Sequence, residues 1–214
     1  MNKQKIDTKY MVTLAMLCAL LVTMSMTGIG FIPLPVIKAT TMHIPVIIGA
    51  IVLGPSGGAF LGAVFGICSI WTNTSQPGVL SFAFSPFMTQ DGFLGALKSL
   101  WIALGCRILF GYLAGWLWRA FRKLFKNNFI SLPVTAALST IAHTMLVMGS
   151  IYVLLAQQYA SAKKVAYSAV FGLIMGTVTA SGIPEAIAAA ILVTTICIAL
   201  FKIVIKTSDQ RGGE

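Results

Sequence analysis

The chain has 214 residues, of which 57% are hydrophobic and only 9% charged, with a formal net charge of +10 and a mean hydropathy of +0.91. A soluble domain carries charge on about a quarter of its residues, so a soluble globular fold is excluded, and the continuous, non-alternating apolar runs point to membrane helices. The basic residues gather at the ends and in one loop, a pattern of membrane topology rather than of a nucleic-acid surface.

Residues 1–9 carry Lys3, Lys5 and Lys9, which predicts a cytoplasmic N-terminus. A first helix is predicted over 8–30. Its apolar run, about 33 Å at the helical rise, is longer than the apolar region of a cleaved signal peptide. Ala15 and Ala19 lie four apart on one face of it, a small-xxx-small pair suited to close helix packing. Phe31–Thr41 reads as an outer loop containing Pro33, Pro35 and Lys38.

Two helices follow, over 42–54 and 57–73, as a hairpin around Gly54-Pro55-Ser56-Gly57-Gly58. Proline lacks an N–H and glycine tolerates positive φ, so this run breaks a helix. Gly58, Gly62 and Gly66 form a smooth stripe that lets a neighbouring backbone approach. Trp71, Thr72, Asn73 and Thr74 then make a polar and aromatic cluster at the helix end. Residues 74–93 form a long external loop; loops of this length in a compact protein are usually functional, and this one suits a lid.

A helix over 94–121 carries Arg107 at a depth where a charge must face protein or water. Gly111 and Gly115 share its face, so that face points inward. Arg119, Arg122, Lys123 and Lys126 then give the strongest cytoplasmic mark in the chain. A helix over 131–156 places Ser139, Thr140 and His143 near one face. After the polar run QQYASAKK, residues 165–178 read as a short interfacial segment with a Gly172/Gly176 pair. A last helix over 183–206 starts at Pro184 and Glu185, a proline-and-acid start signal. Lys202, Lys206 and Arg211 close the chain on the cytoplasmic side. The expectation is an all-α membrane protein: a single transmembrane domain over 1–214, with about six transmembrane helices and both termini cytoplasmic.

Cys18, Cys68, Cys106 and Cys197 sit in apolar runs without metal spacing and read as buried free thiols. No P-loop pattern occurs, so the chain is not its own ATPase. His143 with Ser139 lacks an orienting carboxylate, which argues against an intramembrane enzyme.

The Ala15/Ala19 pair, the compact helical count and the block HIPVIIGAIVLGP…GAFLGAVFG together resemble the substrate-binding S component of an energy-coupling factor (ECF) vitamin transporter. SFAFSPF and GIPEAIAAAIL are similar to its pantothenate-type branch. The resemblance implies a prokaryotic, multi-pass cell-membrane protein that binds a vitamin, here pantothenate, with high affinity. It implies docking through Ala15 and Ala19 onto a transmembrane scaffold subunit (T) carrying two ATP-binding subunits (A and A′). ATP would be hydrolysed by those partners, with no cofactor on this chain and no nucleic-acid partner.

Pantothenate carries a carboxylate, an amide and two hydroxyls, so its pocket needs a cation, hydrogen-bonding groups and an apolar wall. Arg107 is the candidate for the carboxylate, which a guanidinium pairs with bidentately; the alternative is a structural carbonyl cap. Asn73 and Trp71 are candidates for amide recognition and a flat wall, Trp71 otherwise being an interfacial anchor. His143 is either a ligand or a satisfied core residue, and His43 reads as structural. Ser81, Phe82, Phe84 and Ser85 are candidates to close over the ligand. Glu185 reads as a partner of its helix dipole. A metal site is not expected, because no carboxylate or cysteine joins the two histidines at ligand spacing. A different vitamin or small micronutrient in the same architecture, and a stand-alone secondary carrier, remain the alternatives.

Overall fold

A computed structural model describes residues 8–33, 38–89 and 91–211. Lys3 and Lys5, and the side chains of Lys38, Lys206 and Arg211, lie outside the described residues. Among the described residues the protein is all-α apart from one small strand pair, and five helical stretches are long and apolar enough to cross a membrane. The first is α1 (Thr8–Thr27). The region read as an outer loop contains β1 (Phe31–Pro33) and β2 (Lys38–Thr40), antiparallel with Phe31 opposite Thr40.

Helix α2 runs from His43 to Ser75 and is helical throughout except at Gly54, where φ is 82° and ψ −177°. A side chain there would be strained, so the backbone turns where glycine allows it, and Pro55 opens the second arm without wasting an N–H. The chain doubles back at this point: Gly49 of the first arm lies against Leu61 of the second, and Ala50 against Gly58. The expected hairpin is therefore present, with its first arm only about 16 Å long at the helical rise.

The Gly58/Gly62/Gly66 stripe meets one specific neighbour. Side chains at Gly58 and Gly62 would collide with the carbonyl oxygens of Gly111 and Arg107, and one at Gly66 would lie 2.7 Å from that of Ala103. From the other side, Gly111 faces the Gly58 carbonyl and Gly115 faces Pro55. The two helices thus touch backbone to backbone in a register that repeats every four residues. Arg107 is held at a defined height by contacts that involve no side chain of its own.

That neighbour is a continuous helix in three parts: α3 (Gly92–Leu100), a π-turn (Trp101–Gly105) and α4 (Cys106–Phe125). Lys126 ends α4 in the left-handed conformation, and the Asn127 side chain caps α5 (Asn128–Lys163) by accepting from the Phe129 N–H at 2.9 Å. Helix α5 reaches past the expected 131–156. The run read as a polar break is helical through Lys163, and the irregular residue inside the helix is Leu155, with φ −135°. Alanine, glutamine and lysine are good helix formers, so the run extends the helix by about two turns before Lys164 ends it in the left-handed conformation.

The expected short segment over 165–178 and separate helix from 183 are also joined. Helix α6 (Val170–Thr177), a π-turn (Val178–Gly182) and α7 (Ile183–Arg211) follow without a break. Pro184 cannot donate to the carbonyl four residues back, and a π-turn just before it absorbs the mismatch inside the helix. A side chain at Gly172 or Gly176 would meet nothing within 4 Å.

Two apolar cores result. One joins Leu21, Met42, Phe65, Phe110, Trp118, Ala136 and Val193. The other joins Ala83, Ile102, Cys106, Val147, Tyr159 and Ile174. Arg107 lies between Cys106 of one core and Phe110 of the other. His143 lies between Ala136 and Val147 in the same way. The seam between the cores is where the polar side chains collect.

Candidate binding site in the seam between the two cores

Arg107 is 4% exposed. Its Nη1 donates to the carbonyl oxygens of Ile102, at 3.0 Å, and Ala103, at 2.9 Å. These carbonyls belong to the π-turn, where the regular i−4 pairing is disturbed, so Arg107 does cap its own helix. The rest of the guanidinium is presented to the seam. Its Cζ lies 4.6 Å from the Phe65 ring centroid and 5.3 Å from that of Phe84, the arrangement of a cation over aromatic faces. Its Nε has no hydrogen-bond partner.

Among the described residues no carboxylate neutralises it. Among the described side chains the only acids are Asp91 and Glu185. Asp91 forms an ion pair with Lys98 at 3.8 Å and accepts from the Gln158 amide. Glu185 accepts the Thr40 N–H at 3.1 Å, tying α7 to β2; because the helix is continuous there, Glu185 is a cross-link rather than a partner of a helix start. A buried cation without an acidic partner at membrane depth is costly.

His143 reaches the same seam from α5. It is buried, 4.7 Å from the Phe110 ring centroid and 5.6 Å from that of Phe65. His43, at the start of α2, stacks on it with centroids 6.3 Å apart and 21° between planes. Phe65 is the wall shared by Arg107 and the histidines. Ser139 and Thr140 are buried one turn before His143. Among the described residues no three His, Cys, Asp or Glu converge as a metal site requires.

The loop after α2 closes this end of the bundle, and it is held by its own polar network. Asn73 Nδ2 donates to the Ser69 carbonyl at 2.9 Å, and its Oδ1 accepts from Ser81 at 3.0 Å. Ser81 also accepts the Gly78 N–H at 2.8 Å. Thr74 and Ser85 hydroxyls pair at 2.7 Å, and Ser99 donates to the Phe82 carbonyl at 2.7 Å. Asn73 and Ser85 are therefore engaged in pinning the loop. Its contribution to the seam is Phe84; Phe82 packs on the second core.

Trp71 does not join the site. It is 63% exposed. Asn73 shares a face with Ser69, four residues away, and at about 100° per residue Trp71 points to the opposite side. The interfacial-anchor alternative fits this placement. Residues the sequence reading did not assign to this cluster are His43, Phe65 and Phe110. Phe110 had a signal, since it lies three residues from Arg107 on the inward face marked by Gly111. His43 had none, because its seam position depends on the chain folding inward after β2.

Comparison with known proteins agrees with this architecture. Residues 9–197 match the family described as ECF transporter, substrate-specific component. The Pantothenic acid transporter PanT of Lactococcus lactis subsp. cremoris is 38% identical over 171 residues, covering 79% of this chain and 81% of the relative. The Pantothenate transporter PanT of Leuconostoc mesenteroides subsp. mesenteroides is 30% identical over 126 residues, covering 56% of this chain and 54% of the relative. The family match spans nearly the whole chain, both apolar cores and the seam between them; this multi-pass membrane protein belongs to the substrate-specific components of ECF transporters.

Proposed function

We propose that this chain is the high-affinity substrate-binding subunit of an ECF-type importer in a prokaryotic cell membrane, and that its substrate is pantothenate. The observation that carries the reading is Arg107: a buried cation with no acidic partner among the described residues, flanked by aromatic rings. A small amphiphilic carboxylate fits that combination, and the names of the two relatives indicate which one.

Counting the arms of α2 separately, the chain makes six helical passes with both ends in the cytoplasm. Arg119, Arg122 and Lys123 gather beside the Gly54 turn, and Lys126 follows at the end of α4; positive charge marks the cytoplasmic side. The loop carrying Phe84 then lies outside, as a lid over the pocket.

Transport requires partners: a scaffold subunit and two ATP-binding subunits that hydrolyse the ATP. Helix α1 supplies the docking face. Ala15 and Ala19 are exposed there beside Val12, at 52%, and Met16, at 68% exposure. Small residues between apolar ones let a partner helix come close. Ala15→Trp abolishes uptake in cells expressing the whole transporter and leaves pantothenate binding by the purified subunit unchanged; equal loss of both contradicts separate faces.

The decisive test of the function is isothermal titration of the purified protein in detergent with pantothenate. Tight, saturable binding that Arg107→Ala removes supports substrate and pocket together. A silent titration rules out pantothenate while leaving the family assignment intact.

A further inference from the structure

Five buried polar atoms in the seam have no hydrogen-bond partner among the described residues: Nδ1 and Nε2 of His43, Nδ1 of His143, Oγ of Ser139 and Nε of Arg107. Buried polar groups are almost always paired, because an unpaired one forfeits its interaction with water. A cluster of them in one place is the mark of a site that another molecule completes. His43 stands out within it. It is 1% exposed and both of its ring nitrogens are unpaired; its approach to the Thr40 backbone falls short of hydrogen-bond geometry.

We propose that His43 contacts the substrate directly, with His143 beside it, and that the two rings form the subsite for a substrate hydroxyl at the end opposite Arg107. This rests on the pantothenate reading of the same pocket. An uncharged imidazole presents one donor and one acceptor, and a hydroxyl likewise gives one hydrogen bond and accepts another. A carboxylate, which only accepts, is matched instead by Arg107, whose guanidinium only donates. The rings of Phe65 and Phe110 beside His143 supply an apolar wall for the carbon skeleton between the two polar ends. His43 opens α2 three residues after Thr40, whose N–H is held by Glu185, so its ring is set by the strand pair rather than by a flexible loop.

The chain contains two histidines, which makes a direct test possible on the unaltered protein. With ring nitrogens labelled in histidine only, pantothenate shifts both sets of imidazole signals, whereas an analogue lacking the terminal hydroxyl leaves the His43 set near its free position. Titrations close a cycle with His43→Phe and His43→Gln. The unaltered protein prefers pantothenate over the deoxy analogue by about 10- to 100-fold, the effect of one buried hydrogen bond. His43→Phe binds both ligands alike, at the level of the analogue, and His43→Gln keeps part of the preference. Unmoved His43 signals, or a His43 variant that loses both ligands equally while the unaltered protein binds pantothenate, overturn the proposal. Failure of the unaltered protein to bind pantothenate overturns the substrate reading instead.

Discussion

The polar cluster around Asn73 at the loop end and the seam beneath it both bury polar side chains, yet they are wired in opposite ways. Around Asn73, both ends of the side-chain amide are engaged, and Ser69, Ser81, Thr74 and Ser85 complete one another. Around Arg107, His43, Ser139 and His143, five polar atoms are left without partners among the described residues. A closed polar network rigidifies the structure that contains it, while an open one costs stability until a ligand completes it. On the proposed function, the contrast separates residues that build the site from residues that would use it, a separation that residue type alone does not make: by type, an asparagine is as plausible a ligand contact as a histidine.

The comparison is broken most severely at Arg107. Arg107→Ala removes the only cation in the seam among the described residues and costs about 2–5 kcal/mol of pantothenate affinity, as for other buried charge partners. Titration measures that loss, and an affinity within threefold of the unaltered protein moves the carboxylate elsewhere. Gly62→Val comes next. Its side chain would collide with the Arg107 carbonyl, and overpacking of this kind costs about 1–3 kcal/mol. Thermal unfolding in detergent shows the destabilisation, and affinity falls with it because the same contact sets the height of Arg107.

Ser81→Ala sharpens the contrast. It leaves Asn73 Oδ1 and the Gly78 N–H unpaired, costing about 1–3 kcal/mol of stability. Affinity changes by less than the Arg107 substitution, and pantothenate dissociates faster as the lid loosens. A Ser81 variant that matched Arg107→Ala in affinity would place the loop network in the site. Trp71→Ala has the smallest effect: surface changes away from special features stay within about 0.5 kcal/mol, so titration gives an unchanged dissociation constant.

The helical hairpin was legible because it is written in residues whose backbone preferences are absolute. Gly54 and Pro55 permit a reversal that few other pairs do, and the four-residue glycine spacing announced a close approach. Arg107 was legible for a similar reason, since a charge at that depth has few places to be. The two-helix reading of 165–206 differed because Pro184 supplied the same start signal that a true helix start would; whether a π-turn absorbs a proline depends on what packs around it. Trp71 and Asn73 were grouped by closeness in sequence, although two residues along a helix lie on nearly opposite faces.

By itself, the sequence determined the solvent and the elements: 57% hydrophobic and 9% charged residues leave a helical chain in a membrane, and glycine and proline mark where it can turn. It also marked the buried cation, Arg107. Only the tertiary structure decided which polar residues are free to act. Hydrogen-bond satisfaction is a property of pairs, and the pairs here span distant positions: Asn73 with Ser81, Glu185 with Thr40, His43 against His143. No local pattern encodes that His43 arrives in the seam unpartnered; the folding of the chain inward after the strand pair puts it there.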